Sequence, residues 1–136
     1  MRYTFKKEER LCSKRLIEGL FHNGSSFFVY PYRLVFLFRK QEDADKVPAQ
    51  CMLSVSKRRF RKAVDRNAIK RLMREVYRLQ KIELYSFLEE HSLHLLLAIQ
   101  YVGKEKESYD MLFQRMGKVI SKLKDEGTPI HMGNDH

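Results

Sequence analysis

Ala63-Val64-Asp65-Arg66-Asn67-Ala68-Ile69-Lys70-Arg71-Leu72-Met73-Arg74-Glu75-Val76 is the stretch from which the rest of the chain is read. At about 100° per residue, with Arg66 set at 0°, the side chains of Lys70, Lys81, Arg74, Asn67, Arg78 and Arg71 fall between about 40° and 140°. Leu79, Leu72, Val76, Ile69 and Met73 fall between about 220° and 340°. One long helix is therefore expected from about Val64 to Glu89. Its aliphatic side should lock into a core while its basic side, with Asn67 in the middle, faces outward. Arginine suits such a side because its planar fork can hold phosphate oxygens in pairs, which lysine cannot do.

The charge of the chain is concentrated here. Eleven basic residues lie between Lys57 and Lys81, opposed only by Asp65 and Glu75, so this stretch holds +9 of the chain's net +10. A patch of that kind implies a polyanionic partner, although charge by itself leaves RNA, DNA and anionic membrane open. A solvated face laced with ion pairs would need acids, and Glu75 is the one acid between Arg66 and Lys81. A helix lying on lipid would use its apolar side for the membrane, yet the neighbouring strands are the natural partners for that side. A DNA-reading helix-turn-helix needs two helices joined by a tight turn. Here the strand expected over Ala49–Ser56 comes first.

Outward from this helix the pattern alternates between strands and helices. Ser13 to His22 reads as a first helix, with Leu16, Ile17, Leu20 and Phe21 on one side. Asn23-Gly24 should stop it, glycine tolerating the left-handed conformation common at helix ends. Phe27 to Phe38 is aromatic and β-branched, Tyr32, Leu34, Phe36 and Phe38 alternating with Arg33, Val35 and Leu37, and Pro31 limits where that strand can begin. Gln41–Pro48 reads as a loop joining a hairpin. Leu93–Val102 is almost continuously apolar, as for a strand buried on both faces. Ser108–Lys124 forms a last helix. The expected order is αβββαβα, an α+β mixed sheet with helices packed on it.

The 136 residues suit one domain, over residues 1–126, with residues 127–136 read as a flexible tail. No apolar run approaches the roughly 18–20 residues of a membrane span, and the first residues are too polar for a signal peptide. Cytoplasmic location is the expectation. Cys12 and Cys51 make no disulfide framework or zinc spacing and read as ordinary semi-buried thiols. The five histidines show no triad or ligand pattern, and Asp43 and Asp45 lack supporting ligands for a metal-dependent nuclease. No catalytic residue is expected on the protein.

Leu53-Ser54-Val55-Ser56-Lys57, followed by Arg66-Asn67-Ala68-Ile69-Lys70-Arg71-Leu72-Met73-Arg74, closely resembles the "RNR" region of the protein subunit of bacterial ribonuclease P. Arg10-Leu11 and Phe21-His22-Asn23-Gly24 resemble that family's first helix and its end. The resemblance implies an α-β sandwich whose basic helix joins two parallel strands by a left-handed crossover, against the general right-handed rule. It implies a partner, the catalytic ribonuclease P RNA, bound through Lys57, Arg58, Arg66, Asn67, Lys70, Arg71, Arg74 and Arg78. Precursor tRNA would be the substrate and Mg²⁺ the cofactor, held where RNA and substrate meet. The 5′ leader would lie in a cleft between the first helix and the sheet, at Phe21, Tyr32, Leu34 and Phe36. Ile17 stands where the family usually offers an aromatic. Ala98-Ile99-Gln100-Tyr101 lacks a frequent arginine, so no site is expected there. A non-catalytic RNA-binding module, such as a ribosome-associated protein, would use the same basic arc.

Overall fold

A computed structural model describes residues 5–133. A single turn of 3-10 helix, Lys7–Glu9, leads into α1 (Lys14–Asn23), β1 (Ser25–Val29), β2 (Tyr32–Lys40) and β3 (Ala49–Val55). These are followed by α2 (Ala63–Glu90), β4 (Leu93–Tyr101) and α3 (Tyr109–Gly133). The order αβββαβα is the expected one, and the boundaries have local causes. The Ser13 hydroxyl caps α1 by accepting the Leu16 amide at 3.3 Å. Gly24 ends that helix for a reason other than the expected one. Its φ is −79°, and a Cβ there would lie 2.8 Å from the Phe36 carbonyl oxygen and closer still to that of Leu20. Glycine is needed for the close approach of the helix end to the sheet, not for a left-handed turn. The residue that does turn left-handed is Ser92, at φ 56°, between α2 and β4.

The aromatic stretch read as one strand is a hairpin, β1 and β2 pairing antiparallel across a cis Tyr30–Pro31 bond. The sheet order is β1-β2-β4-β3. Gln41–Pro48 therefore joins no hairpin, because β4 lies between β2 and β3. It pairs antiparallel with β2 and parallel with β3. A central strand needs apolar residues on both sides, and β4 is buried along almost its whole length.

The two sides of the sheet are covered unequally. One bears α2 and α3 over a large core. Tyr32, Leu34, Phe36 and Phe38 of β2 meet Ile69, Met73, Val76, Tyr77, Leu84 and Leu88 of α2 there, together with Leu112, Met116, Val119, Ile120 and Leu123 of α3. The other bears α1 alone, over a smaller cluster of Leu11, Leu20, Val35, Leu96 and Ala98. α3 also runs past the expected end at Lys124. Gly127 is buried, and a Cβ on it would press on the rings of Phe87 and Phe38. Residues 134–136 of the expected tail lie outside the described residues.

Lys81 does not belong to the outward arc. It is buried and ion-paired with buried Glu9, whose carboxylate also accepts the Tyr85 hydroxyl at 2.6 Å and the Lys6 amide at 2.8 Å. The inward side of α2 is rotated from the expected sector, so Tyr77 and Lys81 point into the protein. This pair pins the N-terminal segment against α2, and the Leu11 amide donates to the Cys51 carbonyl of β3 at 3.0 Å. Burial alone would push the Glu9 carboxyl up, but hydrogen bonds from Lys81, Tyr85 and Lys6 outweigh it and hold it below the ordinary 4.5. A depressed carboxyl stabilises the folded state above its unfolded pKa and loses that contribution as pH falls through the folded value.

Breaking the pair should be costly and removing it should not. Glu9→Ala leaves a buried ammonium unmatched and is expected to destabilise by about 3–5 kcal/mol, whereas Glu9→Met with Lys81→Met should be close to neutral. Denaturant melts of the three proteins check this. The double variant should also lose part of the wild-type's fall in stability below about pH 4.5.

Candidate nucleic-acid interface

The site begins at the turn between β3 and α2. Lys57, Arg58, Arg59, Arg61 and Lys62 are all exposed there, and the turn is held from the helix side. The Arg66 guanidinium donates from one nitrogen to the carbonyls of Phe60, at 2.9 Å, and Arg61, at 2.8 Å. Arg66 is thus half-buried and organises the turn, with less of its fork turned outward than its phase suggested. Asp65, the acid of the first helical turn, is engaged by Lys106 at 3.5 Å. The amino end of α2 carries partial positive charge from its aligned peptides, which adds to the field of the turn.

Along α2 the outward side presents Asn67, Arg71 and Arg74, all exposed. Lys70 is half-buried at the flank. Arg78 is paired with Glu75, its Nε and one terminal nitrogen donating at 3.3 and 2.7 Å. No carboxylate among the described residues pairs with Lys57, Arg58, Lys70, Arg71 or Arg74. Without a carboxylate partner such cations are balanced by water and counterions when the protein is free, and a phosphate that displaces them gains charge-assisted hydrogen bonds. Lys70 and Arg74 also flank a groove of about 290 Å³ whose other walls include Phe5, Arg10 and Met52.

A second depression lies on the α1 side of the sheet. Phe21, Arg33, Val35, Met52, Ser54, Ala98 and Gln100 enclose about 170 Å³, and the Phe21 ring is 52% exposed. Met52 lines both depressions, so they meet around the edge strand β3.

Three residues expected in the cleft are not there. Tyr32 and Leu34 are 0% exposed and Phe36 5%; all three point into the core under α2 and α3. The Tyr32 hydroxyl donates to the Leu112 carbonyl at 3.0 Å, and Phe36 packs against Phe27 and Phe38. β2 alternates as expected, but the side carrying Tyr32, Leu34 and Phe36 faces α2 and α3 rather than α1. The larger aromatic side goes to the deeper core, because two long helices bury more surface than the short α1. Two of the residues that do line this depression are visible in the sequence. Arg33 is a cation near the start of a strand whose next five residues are apolar, and Gln100 is a polar residue after five apolar ones; both mark the side that α1 leaves open. Arg10 and Ser54 carried no signal of that kind.

Neither depression fits a metal ion. Among the described residues no three His, Cys, Asp or Glu side chains gather closely enough to hold one, and the charged groups lining the α2 groove are cationic. Cys51 is buried, and burial pushes its thiol well up, so it stays protonated. Cys12 is exposed, not semi-buried as its sequence context suggested. Buried His94 accepts the Arg39 Nε–H on Nδ1 at 3.1 Å, and burial lowers its pKa. No described helix is long and apolar enough to cross a membrane.

This architecture is shared with known proteins. A family model described as Ribonuclease P matches residues 5–124. The chain is 34% identical over 121 residues to the ribonuclease P protein component of Porphyromonas gingivalis strain ATCC 33277, covering 89% of this chain and 87% of that protein. It is 31% identical over 129 residues to the protein of the same name from Chlorobium phaeobacteroides, covering 89% and 88%. Among solved structures, the RNase P protein of Staphylococcus aureus superposes with a TM-score of 0.62 at 17% identity, over 85% of this chain and 95% of that one. The RNase P protein from Thermotoga maritima gives 0.63 at 19%, over 84% and 96%. The chain belongs to the ribonuclease P protein-component family, whose members are part of the endoribonuclease that acts in tRNA processing.

Proposed function

We propose that this chain, acting as one domain over residues 1–126, is the RNA-binding subunit of a cytoplasmic ribonuclease P. In this role it assists a catalytic RNA in removing the 5′ leader from precursor tRNA. The observation that carries the reading is the row of unpaired cations at Lys57, Arg58, Lys70, Arg71 and Arg74. They stand on a turn and a helix whose other side is buried. A rigid row loses little side-chain freedom on binding, and folded RNA presents phosphates in fixed positions. The catalytic RNA meets this row, with Asn67 beside it, Arg66 shaping the turn and Arg78 at its far end.

The single-stranded leader lies in the cleft beneath Phe21. Stacking on an aromatic ring tolerates any base and is worth about 1–3 kcal/mol per base. Arg33 supplies a cation for the backbone, and Ser54 and Gln100 supply hydrogen-bonding groups for base edges. Mg²⁺ belongs to the RNA and its substrate, where it would activate water for phosphodiester hydrolysis. The protein's contribution to metal binding is indirect, through holding substrate in place.

Reconstitution tests the whole reading. Purified protein alone should leave precursor tRNA intact, and addition of a bacterial ribonuclease P RNA should restore cleavage at low Mg²⁺. Failure to stimulate that RNA would remove the proposal. The basic row has its own test. Arg71→Ala and Arg74→Ala should each weaken RNA binding and flatten the plot of log affinity against log salt by roughly 0.7–0.9 per lost phosphate contact, with unchanged melting. Ile69→Ala should do the reverse, destabilising by about 2–5 kcal/mol while leaving the salt slope of the folded protein as it was.

A further inference from the structure

The open side of the sheet carries a row that crosses all four strands. Phe28 is paired with Arg33, Arg33 with Gln100, and Gln100 with Ser54. Residues paired directly across strands leave the sheet on the same side. Three members of this row, Arg33, Gln100 and Ser54, line the cleft beside Phe21. Phe28 stands one strand further out, on the edge strand β1. α1 packs over β2 and β4 and not over β1, and α3 meets β1 from the opposite side, so no helix covers the side of the edge strand that Phe28 occupies. Its ring is 58% exposed, more than any other described aromatic. The neighbouring Tyr30 ring lies 6.4 Å away and tilted by 56°, a geometry that leaves Phe28 without a parallel stacking partner. A large apolar ring on an exposed edge strand is a liability for solubility, and here it is collinear with a cation and two polar groups already facing the cleft.

We infer that Phe28 is a second stacking platform for an unpaired base of the leader, with Arg33 between it and the cleft to hold the backbone. This rests on the proposed leader cleft and extends it to the edge of the sheet. With strands about 4.8 Å apart, the row from Ser54 to Phe28 spans roughly 14 Å, enough to contact more than one nucleotide. The protein would thereby distinguish long leaders from short ones without reading their sequence, since every base offers a π face.

The test places 2-aminopurine, one position at a time, along the leader of a precursor tRNA bound to the holoenzyme reconstituted with a bacterial ribonuclease P RNA. Fluorescence should be quenched at one position by Phe21 and at a separate one by Phe28. Phe28→Ala should abolish only the second quench and weaken binding of long-leader substrate by about 5- to 150-fold. Short-leader substrate should bind as before. Phe28→Trp should restore both effects, and the melting temperature should be that of the wild type. Should Phe28→Ala leave every quench in place while Phe21→Ala removes one, the Phe28 platform is wrong and the cleft stands. If no leader position is quenched in the wild type, the cleft fails and the platform with it. Should the free protein sediment as a dimer that Phe28→Ala dissociates, with no change in leader binding, the ring serves a protein contact and the inference is overturned.

Discussion

The burial of one side of α2 is the constraint on which the rest of the molecule depends. Ile69, Met73, Val76, Tyr77, Leu84 and Leu88 are all buried between the sheet and α3. A helix fixed along so much of its length cannot rotate, and its opposite side is therefore fixed as well. Asn67, Arg71 and Arg74 stay exposed because the core leaves them nowhere else to go. The same helix bridges the parallel strands β3 and β4, which sets the basic turn at one end of the sheet. Arg66 then ties that turn to the first turn of the helix through two backbone carbonyls. Core, crossover and basic face are one object, and a cavity under Met73 would be felt at the row of cations.

Gathering so many cations has an energetic cost in the free protein, because like charges on one face repel. The fold answers it by using some of its acids elsewhere and keeping others near. Glu75 neutralises Arg78 and Asp65 meets Lys106, which blunts the two flanks while the middle of the row is left unpaired. Glu9 is withdrawn into the protein to meet Lys81. That pair anchors the segment carrying Arg10 along β3, so Arg10 joins Lys70 and Arg74 around one groove. A buried ion pair thus acts at a distance on the outer electrostatics, by deciding where an unburied arginine sits.

Much of this was legible in the residues, and the failures have physical causes. The order of elements, the buried central strand and the amphipathic α2 followed from periodicity, since long patterned segments state their own geometry. Which side of β2 faced which helices did not, because alternation defines two sides without naming their neighbours. Tyr32, Leu34 and Phe36, expected in the cleft, belong to the core, and it is Arg33 that lines the depression. Lys81 misled for a related reason. A helical wheel treats every lysine as solvated, whereas the distant Glu9, with the rings of Phe5 and Tyr85 beside the ammonium, compensates its burial. The partners of β2 were hidden too, since Gln41–Pro48 has the composition of any polar loop and nothing in it records that β4 would enter between its flanking strands. At Gly24 the missing Cβ matters and the φ does not, since the residue is not left-handed.

Photo-crosslinking from single sites on α2 tests the central claim most directly. A photoreactive side chain at Asn67, in the middle of the exposed row, should capture ribonuclease P RNA in high yield. The same group at Glu89, exposed on the same helix but about 33 Å away along its axis, should capture little. Strong capture at Glu89 with none at Asn67 would mean that the RNA docks elsewhere and that the buried side of α2 positions something other than an RNA-binding surface.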